Sequence, residues 1–386
     1  MRRFERLTQV VEPVEEYRRG GYHPVHLHDI FDQKYEVVGK LAYGQFSTVW
    51  LAENKTMTPC HVALKILKAD ASADSKELAI HRHLAASDFD HPGKAHVIEV
   101  LDHFYHTGPN GTHLCLVFPV MISDVQEMIV TWTPHQAGYV QTVSQQTLLG
   151  LDFLHKSDIV HCDIQPRNIM VSVTDSINDI DDLLEAPQFS PVRWLEGVTR
   201  DDSAPQYLMP SQRRYNSLKD VPYSSLVVKI GDLGGAQRRR WCDERPVIPL
   251  SLRAPEIIRG TAWDCTIDIW ALGCLIFELA TNEPLFPLCT FGIPREEVDK
   301  EHLELIDERL SDPAGMARFT IYLAERLPGG FGAENAQRLA MYLLLMLREN
   351  REVRPSAEFL LRQLFTEEGT ENMVIKLEHV VDLKSR

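Results

Sequence analysis

The segment that decides the fold reads His161-Cys162-Asp163-Ile164-Gln165-Pro166-Arg167-Asn168-Ile169-Met170. It follows an apolar run with helical periodicity and precedes a long polar segment. Asp163, Arg167 and Asn168 bring a carboxylate, a guanidinium and a carboxamide close together along the chain. His161, Asp163 and Asn168 form the pattern H-x-D-x-x-x-x-N. Three residue types at one spacing are weak evidence by themselves. Their meaning therefore depends on the residues found at other distances along the chain.

The composition is that of a globular protein with reduced cysteines. The 386 residues suffice for one large or two moderate domains, and 44% apolar and 25% charged residues are ordinary values for a soluble protein. The seven cysteines are scattered and form no C-x-x-C pair, which favours free thiols over a zinc site or a disulfide framework. This usage is typical of a cytoplasmic or nuclear protein, and we expect both locations.

No membrane segment is predicted, and the charge favours a basic partner. Polar sequence follows Met1-Arg2-Arg3-Phe4, so no signal peptide is visible, and the apolar run Ile269–Phe277 is too short to cross a bilayer. The net charge of −15 argues against direct binding of nucleic acid and suits basic protein partners. We expect a monomer without membrane contacts.

Upstream of the central segment the chain is rich in predicted β-structure. Residues 1–34 form a charged N-terminal extension, in which Gly20-Gly21 and His23-Pro24 predict a loop. Short apolar runs then predict strands over Tyr35–Leu41, Phe46–Ala52, His61–Leu67 and His113–Val120.

The turn between the first two of these strands has the composition of a phosphate-binding loop. A glycine-rich turn lets backbone N–H groups approach phosphates without interference from a Cβ atom. Here only Gly44 remains of three such positions, and Ala42 and Ser47 are small substitutes. Taken alone, this turn is more simply interpreted as an ordinary hairpin.

Lys65 and Glu77 each allow a structural and a functional interpretation. Lys65 lies in the apolar strand Val62-Ala63-Leu64-Lys65, where a lysine can extend its ammonium group past the edge of the sheet. Glu77 lies near the start of a helix predicted over Asp74–Leu84, where the helix dipole stabilises an acidic residue. Their separation along the chain favours a functional pair.

A long insertion separates the central segment from a second carboxylate. The interval from Asn168 to Asp232 is polar and rich in proline, so we predict an insertion over about residues 172–226 that is in part a mobile loop. An apolar run, Val227–Ile230, predicts a strand that is followed by Asp232. Gly234 then allows the backbone to turn. This geometry suits a carboxylate that holds a divalent cation.

The remaining sequence is predicted to be mainly helical. The segment Asp264–Ala280 is apolar on nearly every face, which predicts a buried helix in which Asp268 must be hydrogen-bonded. Residues 366–386 are predicted to form a charged C-terminal tail. Amphipathic helices are predicted over Gln136–His155, Glu301–Leu310, Glu334–Arg348 and Ser356–Phe365.

The joint order and spacing of these motifs resemble those of the eukaryotic protein kinases over about residues 35–365. The matching residues are Lys65, Glu77, Asp163, Asn168, Asp232 and the triplet Ala254-Pro255-Glu256. Gly20-Gly21-Tyr22-His23-Pro24 and the run from Lys40 to Ala52 look like the SR-protein kinases, especially the fungal ones. The resemblance implies an α+β, bilobal fold with a small β-rich N-lobe (about 35–120) and a larger, mainly helical C-lobe (about 121–365).

The resemblance also implies ATP and Mg²⁺ as cofactors and assigns a role to each motif residue. Asp163 orients the substrate hydroxyl group, Lys65 holds the phosphates and pairs with Glu77, and Asn168 and Asp232 bind the metal ions. The nucleotide is implied to contact Leu41, Ala42, Gly44, Ser47, Val49, Ala63 and Met121. Arg354 matches the arginine that pairs with Glu256, and Arg253 matches the arginine that precedes the Ala-Pro-Glu triplet in the SR-protein kinases.

Several positions depart from the kinase pattern. Gln165 replaces the lysine that normally contacts the γ-phosphate, and Pro249 replaces the threonine that normally accompanies that lysine. Cys162 replaces the arginine that binds a phosphate on the activation loop, so activity is not expected to depend on such a phosphate. Arg167 lies four residues after Asp163, where some tyrosine kinases place a catalytic arginine. We therefore include Arg167 among the candidate catalytic residues, beside the alternative that it caps a helix or pairs with a nearby acid.

Three functions remain to be compared. The resemblance implies a serine/threonine kinase that phosphorylates serines in arginine/serine-rich proteins such as splicing factors. A pseudokinase scaffold is the first alternative, favoured by Ala42, Gln165 and Pro249 and opposed by the retained lysine and metal-binding residues. A small-molecule phosphotransferase is the second alternative, disfavoured by the Ala-Pro-Glu triplet, which is typical of a platform for protein substrates.

An acidic helical face is a candidate docking surface for basic substrates. Four glutamates recur at helical spacing opposite an apolar face of Leu303, Ile306 and Leu310. They are Glu297, Glu301, Glu304 and Glu308. A solvated helix face is the plain interpretation of this pattern, and a surface that binds arginine-rich segments is the functional one.

Overall fold

The computed structural model describes residues 2–54, 56, 60–87, 89–131, 134–173, 183–214, 218, 220–239, 245–310 and 313–363. The chain divides into two compact units. Unit 1 comprises Met1–Ala85, Ile98–Ile122 and Ser176–Ser217, and unit 2 comprises Ala86–Val97, Ser123–Asp175 and Leu218–Arg386. The predicted C-terminal tail, residues 366–386, lies outside the described residues.

The secondary structure is mixed, with strands concentrated in the first part of the chain and helices in the last. The strands are β1 (Ile30–Phe31), β2 (Tyr35–Tyr43), β3 (Ser47–Glu53), β4 (His61–Leu67), β5 (Asp102–Gly108), β6 (Gly111–Pro119), β7 (Ser123–Asp124), β8 (Ile159–Val160), β9 (Ile169–Val173), β10 (Ser190–Pro191), β11 (Tyr207–Leu208), β12 (Leu226–Ile230) and β13 (Gln237–Arg238). The helices are α1 (Lys76–Ala85), α2 (Val125–Thr131), α3 (Ala137–Lys156), α4 (Pro255–Ile258), α5 (Thr266–Thr281), α6 (Arg295–Leu310), α7 (Pro313–Ala324), α8 (Ala333–Met346) and α9 (Ala357–Gln363).

Unit 1 is built on an antiparallel six-stranded sheet in the order β1-β2-β3-β4-β6-β5. The predicted strands are confirmed as β2, β3, β4 and β6, each of which contains β-branched or aromatic residues and buries most of its side chains. The buried face carries Tyr35, Trp50, Leu64 and Val117, which form the core of the unit. The extension adds β1 (Ile30–Phe31) to this sheet, a strand that was not predicted from the sequence.

Residues 183–214 of the insertion belong to unit 1 and pack within it. The Trp194 ring packs against Phe4 of the extension, with ring centroids 4.4 Å apart and the ring planes tilted by 50°, and Met209 is buried in the core of the sheet. The Gln212 N–H donates to the carbonyl oxygen of Lys40 at 2.8 Å. In residues 183–214, apolar side chains thus bury others that lie far away along the chain, and the mobile part of the insertion stays a prediction.

Unit 2 is mainly helical and is organised around α5. Nearly every side chain of α5 is buried, as its uniform apolarity predicted. Its Asp268 carboxylate is 1% exposed and accepts hydrogen bonds from His155 Nε2 at 2.9 Å and from the backbone N–H groups of His161 and Cys162 at 2.9 and 3.0 Å. The prediction that Asp268 is hydrogen-bonded is thus confirmed. Two short sheets, β12-β9-β7 and β13-β8, complete the unit.

The predicted amphipathic helices are confirmed as α3, α6, α8 and α9, with shifts of up to six residues at their ends. Helix α7, which begins at Pro313 and contains Gly315, was not predicted from the sequence. Both residue types disfavour a helix interior, yet proline fits the first turn, where its missing N–H costs nothing. None of the described helices has the length and apolarity needed to span a bilayer.

Candidate active site

In unit 1, β4 and α1 bring Lys65 and Glu77 into a direct ion pair. The Lys65 Nζ atom lies 2.8 and 2.9 Å from the two carboxylate oxygens of Glu77. The Glu77 side chain is 5% exposed and that of Lys65 is 15% exposed, so the pair is largely removed from water. Such burial argues against a lysine at the sheet edge and a solvated first-turn acid, and it favours the functional pair.

The turn between β2 and β3 is closed by a hydrogen bond from Gly44 N–H to the carbonyl oxygen of Ser47 at 2.8 Å. A Cβ atom added to Gly44 would meet no protein atom within 4 Å, and the Gly44 backbone is not in the left-handed region. The protein itself therefore does not require glycine at this position. A ligand that approaches the backbone closely would require it.

The other residues implied to contact nucleotide lie on or beside the same sheet. Their side chains differ in accessibility: Leu41, Ser47, Ala63 and Met121 are buried, Val49 is half-buried and Ala42 is exposed. Two residues of the insertion contact this set. Ser211 Oγ donates to the carbonyl oxygen of Leu41 at 2.5 Å, and Arg213 Nη2 donates to that of Met121 at 3.5 Å. The sequence analysis missed both residues, because no local motif marks them.

In unit 2, the central segment is held from two sides. His161 is fully buried, and its Nε2 atom donates to the carbonyl oxygen of Gly231 at 2.9 Å, which leaves Nδ1 to accept from the Asp163 N–H at 3.2 Å. Asp268 of α5 binds the backbone N–H groups of His161 and Cys162. Cys162 takes a left-handed conformation with φ of 66°, which such fixed contacts can sustain.

Asp163 is held by the side chains of two residues in the same segment. Gln165 Nε2 lies 2.7 Å from each Asp163 carboxylate oxygen, and Asn168 Nδ2 donates to Oδ2 at 2.9 Å. Burial raises the pKa of Asp163 above its usual value, and the nearby Asp232 charge adds to the increase, while His161 and the hydrogen bonds from Gln165 and Asn168 oppose it. The carboxylate is thus oriented by neutral amides.

Asn168 and Asp232 offer oxygen atoms suited to a hard divalent cation. The Asn168 amide nitrogen donates to Asp163, so the amide oxygen is the atom left to bind a metal ion. Asp232 follows β12 in a left-handed conformation with φ of 53°. In the part of the chain that is described, no three His, Cys, Asp or Glu side chains could hold a metal ion. One carboxylate and one amide fit an ion that takes its other ligands from phosphate and water.

The segment that ends in Ala254-Pro255-Glu256 is fixed by buried arginines. Arg354 donates to both Glu256 carboxylate oxygens, at 2.7 and 3.1 Å, in the bidentate geometry favoured by guanidinium groups. Arg253 Nε donates to the carbonyl oxygen of Ile248 at 2.9 Å. Breaking a buried pair of this kind typically costs about 3–5 kcal/mol, so Glu256 and Arg354 anchor this segment strongly.

Arg167 lies in a short 3-10 helix, Pro166–Asn168, and its side chain is exposed. The described residues give it no ion pair and no side-chain hydrogen bond. Pairing with a nearby acid, one of the two structural alternatives, is therefore not supported. Its catalytic role stays a prediction.

Comparison with known proteins supports the same interpretation. The profile of the protein kinase domain matches residues 35–366. Serine/threonine-protein kinase SRPK of Physarum polycephalum is 36% identical over 310 residues, which cover 78% of this chain and 72% of that protein. Protein kinase dsk1 of Schizosaccharomyces pombe is 29% identical over 372 residues (73% and 67%). SRSF protein kinase 3 of Homo sapiens is 35% identical over 173 residues (43% and 30%).

The residues matched by the family profile, 35–366, include the whole set of motif residues, and nothing in the comparisons favours the pseudokinase alternative. The family implies the use of ATP and a divalent metal ion. The β-rich sheet of unit 1 and the helical unit 2 confirm the predicted α+β class. The chain belongs to the protein kinase family, within the group of SR-protein kinases, and is a serine/threonine-protein kinase.

Proposed function

We propose that the protein uses Mg²⁺-ATP to phosphorylate serines in arginine/serine-rich protein segments. The observation that carries the proposal is the fixed Asp163 carboxylate, which accepts hydrogen bonds from Gln165 and Asn168. Asn168 and Asp232 would hold Mg²⁺, whose charge would offset that of the phosphates. Asp163 orients the serine hydroxyl group and accepts its proton, and Lys65, held by Glu77, binds the phosphates.

The substrate class rests on charge and on the relatives. The names SRPK and SRSF protein kinase 3 belong to proteins similar to this chain, and this chain carries a net charge of −15. A polypeptide rich in arginine would be attracted to such a protein at low ionic strength. We also propose that the protein acts as a monomer in the cytoplasm and nucleus.

Helix α6 supplies an acidic face that would suit this substrate class. Val298, His302, Ile306 and Leu310 form its buried stripe, whereas Leu303, predicted to belong to that stripe, is only half-buried. Glu297, Glu304 and Glu308 are exposed. Glu301 lines a cavity of about 620 Å³ whose wall includes Leu250 and Ser251, shortly before the Ala-Pro-Glu triplet. The acidic face thus borders the expected platform for protein substrates.

Reversing the charges of Glu301 and Glu304 to Lys is expected to raise KM for a long arginine/serine-rich substrate roughly 3- to 10-fold at low salt, because each exposed charge pair contributes about 0.2–1 kcal/mol. A short peptide that cannot reach α6 should keep its KM. Reversal of Glu325 and Glu334, which are exposed on other elements, changes the net charge equally and serves as the control. An unchanged KM for the long substrate would reject α6 as a docking surface.

The proposed reaction can be tested with purified protein, Mg²⁺-ATP and a peptide of alternating arginine and serine. Phosphate is expected on serine, with loss of turnover when the metal ion is chelated and recovery when Mg²⁺ is added back. A peptide with glutamate in place of arginine should be a poor substrate. Nucleotide binding without transfer to any peptide would instead support a scaffold.

A further inference from the structure

Residues 12–22 of the N-terminal extension are anchored to β2, the strand that leads into the Gly44 turn. Lys40 of β2 and Glu12 of the extension form an ion pair in which both side chains are 0% exposed. Tyr17 Oη donates to the same Glu12 carboxylate at 2.6 Å. A buried pair of opposite charges is costly to separate, so it fixes the position of the extension on the sheet.

The next residues of the extension require glycine for close packing. Gly20 has a φ of +83°, and a Cβ atom there would lie 2.3 Å from the Asp70 carboxylate. A Cβ atom on Gly21 would lie 1.8 Å from the carbonyl oxygen of Glu16. The pair Gly20-Gly21, from which a loop was predicted, therefore lets the backbone pack closely against neighbouring atoms. This packing sets the position of Tyr22.

Tyr22 is clamped in that place and reaches the turn between β2 and β3. The buried Asn110 side chain donates to the Tyr22 carbonyl oxygen at 2.6 Å, and the ammonium group of Lys68 lies 4.3 Å from the centre of the Tyr22 ring. The phenol is 2% exposed and its Oη donates to the carbonyl oxygen of Gly44 at 2.5 Å. Burial, followed by nearby Glu12 and Glu16, raises the pKa of Tyr22 to about 12, so the phenol remains a donor at neutral pH.

This hydrogen bond fixes the orientation of one peptide unit. In a trans peptide the C=O and N–H groups point in opposite directions. A phenol that holds the Gly44 carbonyl oxygen on one side therefore directs the Gln45 N–H to the other side, and that N–H donates to none of the described residues. Lys68 reinforces the arrangement, since its backbone N–H donates to the carbonyl oxygen of Phe46 at 2.8 Å.

We propose that Tyr22 is a positioning residue for nucleotide binding, which holds the Gly44–Gln45 peptide so that the Gln45 N–H is presented to the phosphates of ATP. Gly44 is the conformationally permissive residue of this turn, so the hydrogen bond from the extension supplies order where the turn sequence has least. The inference rests on the use of ATP by this protein. It makes the N-terminal extension part of the nucleotide site.

The test is Tyr22→Phe, which removes one oxygen atom and keeps the packed ring. Dissociation constants for ATP and ADP, measured by titration calorimetry, are expected to rise roughly 3- to 10-fold, the range for one positioned hydrogen bond. The constant for adenosine, which lacks phosphates, should change less than about twofold. KM for ATP should rise in parallel with the dissociation constant.

Tyr35→Phe is the matched control. Tyr35 is buried in the same sheet, and its Oη donates to Asp102 at 2.7 Å, away from the turn. The Tyr35→Phe protein should lose stability as the Tyr22→Phe protein does, but it should keep its affinity for ATP. Hydrogen exchange over residues 40–50 gives a second measurement, in which ATP protects the wild type more than Tyr22→Phe.

The outcomes separate this inference from the proposed function. Unchanged ATP affinity in Tyr22→Phe would overturn the inference while leaving the kinase activity intact. Equal losses for ATP and adenosine would also overturn it, because they would indicate a general loss of structure. A wild-type protein that neither binds ATP nor phosphorylates the peptide would contradict the proposed function itself.

Discussion

Asp163→Asn is expected to fold and to bind ATP as the wild type does, while its rate of phosphoryl transfer to a serine peptide falls about 10²- to 10⁴-fold. The variant lacks the carboxylate that we expect to accept the proton of the serine hydroxyl group. An amide oxygen at the Oδ2 position can still accept from Gln165 Nε2 and Asn168 Nδ2, so the local structure should persist. Single-turnover measurements at saturating Mg²⁺-ATP would give the rate of the chemical step.

The control is the same change at Asp90, an exposed aspartate of unit 2, which should leave the rate unaltered. Asp163 is a cleaner target than Lys65. Removal of Lys65 would leave the Glu77 carboxylate buried without its cation, and the resulting loss of stability would obscure the loss of catalysis. A near-normal rate for Asp163→Asn would remove Asp163 from the mechanism.

Arg167→Ala is expected to lower kcat roughly 10- to 1000-fold, which corresponds to about 1.4–4 kcal/mol of transition-state stabilisation. The phosphoryl group in transfer carries charge on three oxygens, and protein kinases normally offset part of it with a lysine two residues after the catalytic aspartate. Here Gln165 occupies that position, and its neutral amide is engaged with Asp163. The exposed Arg167 is the nearest cation along the same segment.

ATP affinity should change little in Arg167→Ala, because the contact strengthens only as the phosphoryl group moves. Replacing Gln165 by Lys in the same protein should recover part of the rate. Arg362→Ala, which removes an exposed guanidinium from α9, is the matched control. If kcat is unchanged in a folded Arg167→Ala protein, the missing charge must come from another residue.

Local sequence patterns determined much of the site. The strands β2, β3 and β4 are short apolar runs, and the apolar side chains of α3 recur with a helical period, so each element could be recognised within its own residues. The catalytic candidates were also recognisable, because each of their motifs spans only a few consecutive residues. Lys65 lies in β4 and Glu77 lies in α1, which follows β4 along the chain, and their side chains meet as predicted.

Contacts between distant parts of the chain were decided only by the tertiary structure. Polar composition suggested a mobile insertion, yet Trp194 packs on Phe4 and Met209 enters the core of the sheet. Such burial depends on which apolar side chains meet in space, and that information is absent from the periodicity of either segment. The hydrogen bonds from Gln165 to Asp163 and from Tyr22 to Gly44 likewise depend on rotamers and backbone direction. Sequence thus predicted the reacting groups, and the fold determined what orients them.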